Sequence, residues 1–154
     1  MFLLAVDLGL TTGLALFGTD GRLRWYRSQH FANATALRQA IHRILGEIPG
    51  LAQICVEGGG NLLSAWTHEA KKRGIPVRTV AAETWRAQLI YARDRRSGRQ
   101  AKRKARELAR RVIAWSGARQ VRAPAEDASE AILVGLWGVL AAGWLAKVPQ
   151  ELEG

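Results

Sequence analysis

Two short apolar runs, each of strand length and each ending in a carboxylate, constrain this chain more than any other feature. Phe2-Leu3-Leu4-Ala5-Val6 leads into Asp7 and then Gly9, and Ala52 to Val56 leads into Glu57 and then Gly58-Gly59-Gly60. Runs of this kind read as buried strands. An apolar strand has no structural use for a charge at its end, although Asp7 also fits a role in the following turn and Glu57 a solvated strand end.

The intervening segments supply the rest of a sheet and its cover. Thr11-Thr12-Gly13 reads as a turn, with phosphate binding and hairpin closure equal readings of the two threonines. Leu14 to Phe17 is a second strand, Asp20-Gly21 a hairpin signal, and Leu23 to Phe31 a third strand. Asn33 is placed to cap a helix carrying Leu37, Ile41, Ile44, Leu45 and Ile48 at helical spacing, ended by Pro49-Gly50. Asn61 to Arg73 reads as a helix stopped by Gly74, Pro76 to Val80 as a fifth strand and Glu83 to Tyr91 as a short helix. Arg93 to Lys104 reads as a mobile loop leading into a helix from Gln100 to Trp115, and a last helix runs from Pro124 to Ala146. Three antiparallel strands followed by alternating helix and strand predict an α/β fold, a mixed five-stranded sheet with helices on both faces.

A chain of 154 residues is expected to form one domain, residues 1–148, with a short tail at 149–154. A single cysteine, Cys55, excludes a disulfide scaffold and a Cys-rich zinc site. The first residues lack the basic region of a signal peptide, so a cytoplasmic location is expected. Ala131 to Ala146 holds 16 residues without a charge. A membrane span needs about 20, so this stretch reads as a core helix with one face available for a dimer interface.

The charge is concentrated. Of 23 Lys and Arg, 13 lie between Arg86 and Arg122 with only two acids, Asp94 and Glu107, which gives that stretch a net +11. The rest of the chain carries −1. A solvated helix face is the bland explanation, but the scarcity of acids and the preference for Arg, whose planar fork suits phosphate, favour contact with nucleic acid. The residues expected to bind DNA are Arg93, Arg95, Arg96, Arg99, Lys102, Arg103, Lys104 and Arg106.

Asp127 and Glu130 stand three apart at the start of the last helix and so share a face. Asp127 with Glu126 also fits simple complementation of the helix dipole. Together with Asp7 and Glu57, the pair can converge on one point, where packed like charges demand a cation. All-oxygen ligation selects Mg²⁺ or Mn²⁺, and two such ions about 3.5–4 Å apart serve phosphodiester hydrolysis.

Val6-Asp7-Leu8-Gly9-Leu10-Thr11-Thr12-Gly13, Ile54-Cys55-Val56-Glu57 and Asp127-Ala128-Ser129-Glu130 before an apolar helix resemble the three acidic motifs of RuvC-type Holliday junction resolvases, of the RNase H-like superfamily. Gly98-Arg99-Gln100-Ala101-Lys102 resembles that family's Gly-x-x-x-Lys element. The resemblance covers nearly the whole chain. It implies a homodimer that cuts a four-way DNA junction by symmetric paired nicks, with Asp7, Glu57, Asp127 and Glu130 holding the metals. Lys102 would act on the scissile phosphate, and a general-base role falls to Asp127, where some members carry His.

The sequence also departs from the family. Glu130 stands where Asp is usual, and the adjacent Glu126 competes for the site. Gly60 replaces a bulky residue that stacks at the junction centre, which leaves Trp66 as a candidate for that role unless junction opening needs little help. The rich basic segment is closer to short resolvases of phages and other mobile elements. Trp25, Trp115, Trp137 and Trp144 read as packing, as do Trp85 and Tyr91 ahead of base stacking. His30, His42 and His68 are no metal candidates. Competing readings are a RuvX/YqgF-like nuclease acting on RNA and a non-catalytic branched-DNA-binding module. A nucleotide cofactor is not expected, because the chain lacks room for a second phosphate-binding lobe.

Overall fold

The computed structural model describes residues 1–120 and 123–153. Arg122, the last residue of the basic stretch, lies outside the described residues, as do Val121 and Gly154. Five strands form one mixed sheet: β1 (Phe2–Asp7), β2 (Thr11–Gly18), β3 (Leu23–His30), β4 (Leu51–Glu57) and β5 (Val77–Val80), in the spatial order β3-β2-β1-β4-β5. The pairs β1–β2 and β2–β3 are antiparallel, whereas β1–β4 and β4–β5 are parallel. The two apolar strands therefore lie side by side in the middle, where both of their faces can be covered.

Alternation along these strands divides the core in two. Leu4, Val6, Ile54 and Val56 pack against α1 (Ala34–Gly46) and α2 (Asn61–Lys72). Leu3, Ala5 and Cys55 face the other way, toward α3 (Ala82–Leu89), α4 (Gly98–Ser116) and α5 (Glu126–Ala141). Asp7 and Glu57 continue this second set, two residues beyond Ala5 and Cys55, and so point to the α5 side of the sheet. The RNase H-like arrangement of a mixed sheet with helices on both faces is observed.

Local chemistry explains most boundaries. Asn33 caps α1, its side chain accepting from Ala36 N at 2.9 Å. Ser97 caps α4 through Gln100 N at 3.1 Å, while the Gln100 side chain accepts from Arg96 N at 3.0 Å. This double cap starts the helix at Gly98, two residues earlier than expected. The expected loop of Arg93 to Lys104 is thus helical over its second half, and its first part holds a 3-10 turn at Ala92–Asp94. Thr11 and Thr12 belong to β2 rather than to a turn, and the Thr12 hydroxyl donates to the Gly9 carbonyl at 2.6 Å, closing the β1–β2 connection.

The last helix ends at Ala141, five residues before its expected end. Gly143, at φ +77°, places its N–H on Leu140 O and the Trp144 N–H on Val139 O, a Schellman cap that turns the chain back. The uncharged composition continues past this point, which is why it misleads as a guide to helix length. α5 is buried on almost every side from Ala128 to Leu136. Gly135 and Gly138 face the sheet rather than a partner: a Cβ at Gly135 would stand 2.1 Å from the Phe17 ring, and one at Gly138 2.7 Å from the Cys55 sulfur. Beyond α5, Leu152 is buried against the same core. Among the described residues, no helix is long and apolar enough to cross a membrane.

Candidate active site

The register of the central strands builds the site. In the parallel β1–β4 pair Asp7 is opposite Glu57, and across the antiparallel β1–β2 pair Asp7 is opposite Gly13. Neighbouring strands lie about 4.8 Å apart, so the two carboxylates are held side by side by the backbone ladder. Each carboxylate therefore lies in the other's field. Gly13 then admits the first turn of α5. A Cβ at that position would stand 1.9 Å from the Asp127 carbonyl oxygen, so only glycine lets Asp127 approach β2 at the position opposite Asp7.

Asp127 accepts a 2.7 Å hydrogen bond from the Ser28 hydroxyl on β3. Glu130, one turn further along α5, is buried and bound by Arg86 of α3, with Nη2 3.0 Å from Oε1. Glu126 holds Lys102 of α4 at 2.9 Å. All four predicted acids, together with Glu126, Arg86 and Lys102, line one open cleft of about 900 Å³ at the carboxyl ends of β1 and β4. The three expected motifs and the Gly-x-x-x-Lys element thus converge.

Crowding marks the electrostatics. The Asp7 carboxyl is pushed up to about 8, first by burial, then by the neighbouring Glu57 and Glu130, with Asp127 adding to it. Glu130 is raised as well, chiefly by burial, against the opposing pull of Arg86. A carboxyl that keeps its proton near neutrality costs nothing in charge, but a hard cation among these oxygens would remove the need for the proton. The donor set fits a divalent ion of the Mg²⁺ or Mn²⁺ type: it is all oxygen, half-buried or buried, and under-compensated. Among the described residues, no group of three or more His, Cys, Asp or Glu side chains is preassembled to hold a metal. Arg86, Ser28 and Lys102 hold Glu130, Asp127 and Glu126 respectively.

The eight residues expected to bind DNA are brought together only in part. At 100° per residue, Arg99, Lys102, Arg103 and Arg106 fall within one arc of about 100° on α4. Lys104 lies on the far edge of the helix, paired with Glu107 at 3.3 Å. With Arg95 it lines a separate groove of about 510 Å³ that shares no lining residue with the cleft of the four acids. The Arg95 Nε donates to the Ile90 carbonyl at 2.9 Å, a structural role in the loop, and Arg93 lies over the exposed Tyr91 ring at 4.8 Å.

Trp66 is fully buried between α2 and the sheet and cannot stack on a base, which corrects that expectation. Trp85 is fully buried too. Sequence reading missed Arg86, Ser28 and Gly13. Arg86 was only one cation in a basic run, and Ser28 and Gly13 carry no local mark of a partner more than 90 residues away.

No protein-family model matches the sequence, and a search of curated proteins found no relative. Among solved structures the chain is similar to fowlpox virus resolvase, crystallised with its substrate Holliday junction DNA. The TM-score is 0.62 and the identity 12%, covering 92% of this chain and 99% of the viral one. The catalytic core domain of BIV integrase gives a TM-score of 0.37 at 14% identity over 86% of this chain and 79% of its own, too slight to bear on the fold. By its strand order, its two-sided helical cover and its likeness to the viral resolvase, the chain has the RNase H-like fold.

Proposed function

We propose that the chain is a metal-dependent, structure-selective DNA endonuclease that resolves four-way junctions. The observation that carries this reading is the convergence of Asp7, Glu57, Asp127 and Glu130 in one cleft, with Lys102 at its rim. The viral resolvase of similar fold was solved on Holliday junction DNA, which supports the same substrate class here.

Asp7, Glu57, Asp127 and Glu130 would hold the ions, two per site. When bound, these ions supply Lewis-acid stabilisation of the phosphoryl oxygens and acidify the attacking water. The chain's own residues do the rest. Lys102, half exposed and paired with the exposed Glu126, is free to exchange that partner for the scissile phosphate. Asp127, oriented by Ser28, is placed to accept a proton from water. The arc of Arg99, Arg103 and Arg106 extends from Lys102 and takes the flanking phosphates. A homodimer would set two such clefts on the two symmetry-related strands of a junction.

The test is cleavage of a synthetic four-way junction beside linear duplex and RNA hairpins, with Mg²⁺ or Mn²⁺. The wild type is expected to make paired, symmetry-related nicks in the junction alone, and Asp7→Asn to bind without cutting. Equal cutting of RNA hairpins would transfer the reading to an RNA-directed nuclease, and cleavage by Asp7→Asn would overturn the assignment of the site.

A further inference from the structure

We propose that Arg86 is a gate on the second metal position: its guanidinium occupies Glu130 and must leave before that carboxylate can ligate an ion. The inference rests on the carboxylate cluster being a metal site, as argued above. Arg86 is not one of the acids or phosphate-facing cations named for that function.

The geometry is specific. Arg86 Nη2 lies 3.0 Å from Glu130 Oε1, inside the same cleft as Asp7, Glu57 and Asp127. Its side chain is 26% exposed and that of Glu130 only 9%. The position of the guanidinium is set by packing. Arg86 lies over the ring of the fully buried Trp85, 5.1 Å from its centroid, and α3 rests against α5. A cation held in this way beside a buried carboxylate is a competitor for any other cation.

The four acids are therefore unequal. Asp7 and Glu57 face each other across the β1–β4 ladder, and Asp127 is held by a neutral hydroxyl. None of these contacts opposes a metal by charge. Among the described residues, Glu130 is the one of the four tied to a full positive charge, so an ion at its end of the cleft must displace or repel a guanidinium.

The pairing is nonetheless displaceable. The buried Arg86 Nε–H has no hydrogen-bond partner among the described residues, so the guanidinium is only partly satisfied where it stands. Ions then enter in order, the first at the Asp7, Glu57 and Asp127 side and the second only when Arg86 swings away from Glu130.

Binding rather than turnover tests this. Mn²⁺ would be titrated into the DNA-free protein, with free ion followed by electron paramagnetic resonance and heat by calorimetry. The wild type is expected to bind one ion and then a second at least about tenfold more weakly, and Arg86→Gln to narrow that gap by about tenfold. Arg86→Lys, which keeps the charge, should retain most of it. Glu130→Gln should abolish the second binding step and leave the first, and serves as the readout should Arg86→Gln fail to fold.

An Arg86→Gln isotherm identical to wild type, or a second ion retained in Glu130→Gln, would overturn the gate while leaving the site reading intact. Absence of any Mn²⁺ binding in the wild type would overturn both.

Discussion

The helices α4 and α5 pack against each other and both send their first turns into the cleft, yet they treat charge in opposite ways. α4 buries one stripe, Ala101, Ala105, Leu108, Ala109, Val112 and Ile113, and leaves its remaining surface to arginine and lysine. α5 is buried nearly all round, and of its charged residues Glu126 is exposed and Asp127 half-buried, while Glu130 is 7% exposed. Lys102 on α4 therefore keeps a solvated, exchangeable partner, and Glu130 on α5 is held in a medium that raises its pKa. Solvated charges attract at a distance and are screened by salt, whereas buried ones govern what can bind in the cleft. Binding of a polyanion belongs to α4 and chemistry to α5 and the strand ends, with Lys102 at the boundary.

That division can be broken in three places. The largest effect is expected for Lys102→Ala: cleavage of a four-way junction falls by roughly 10²–10³-fold, as for loss of a charge-stabilising donor, while junction affinity measured by gel shift hardly changes. A proportional loss of affinity would return Lys102 to the solvated arginines and move the boundary.

The pH dependence of stability comes next. Asp7 holds its proton up to about pH 8 in the folded chain but has an ordinary value of 3.8 when unfolded. Across that window the folded state binds more protons, so stability of the metal-free chain falls as pH rises. Glu130, also raised, acts in the same sense. Urea unfolding from about pH 5 to about pH 8 should show this decline, with a smaller slope in Asp7→Asn and recovery of the wild type on adding Mn²⁺. A wild-type slope equal to that of Asp7→Asn would mean that Asp7 is not crowded in solution.

The smallest effect concerns α4 alone. Removing Arg99 and Arg103 together should weaken junction binding and lower the slope of log affinity against log salt by about 2. Removing Lys104 and Arg111, on the edge facing the second groove, should change it less. Equal changes would show that DNA wraps both sides of the helix.

Much of this was legible before the fold was known. The strands ending in Asp7 and Glu57 are visible because strand, carboxylate and glycine follow within two residues of one another, and burial of the run follows from its own composition. The Asn33 cap and the Asp20-Gly21 hairpin are equally local: Gly21 takes φ +77°, as its turn demands. The end of α5 was not legible, because Gly143 in an uncharged stretch reads as a packing residue until its hydrogen bonds are seen. Nor was the burial of Trp66, since an aromatic at helical spacing looks the same from either face until the helix is laid on the sheet.

The sequence by itself determined which carboxylates stand at strand ends, the i, i+3 pair that opens α5 and the concentration of positive charge in one quarter of the chain. These are properties of neighbouring residues, set by local propensity and by the period of each element. Only the tertiary structure decided that Gly13 makes room for Asp127, that Arg86 finds Glu130 44 residues away and that α4 splits its cations between two grooves. A buried charge takes its partner from whatever packing brings within hydrogen-bond reach, and that proximity is a property of the folded chain.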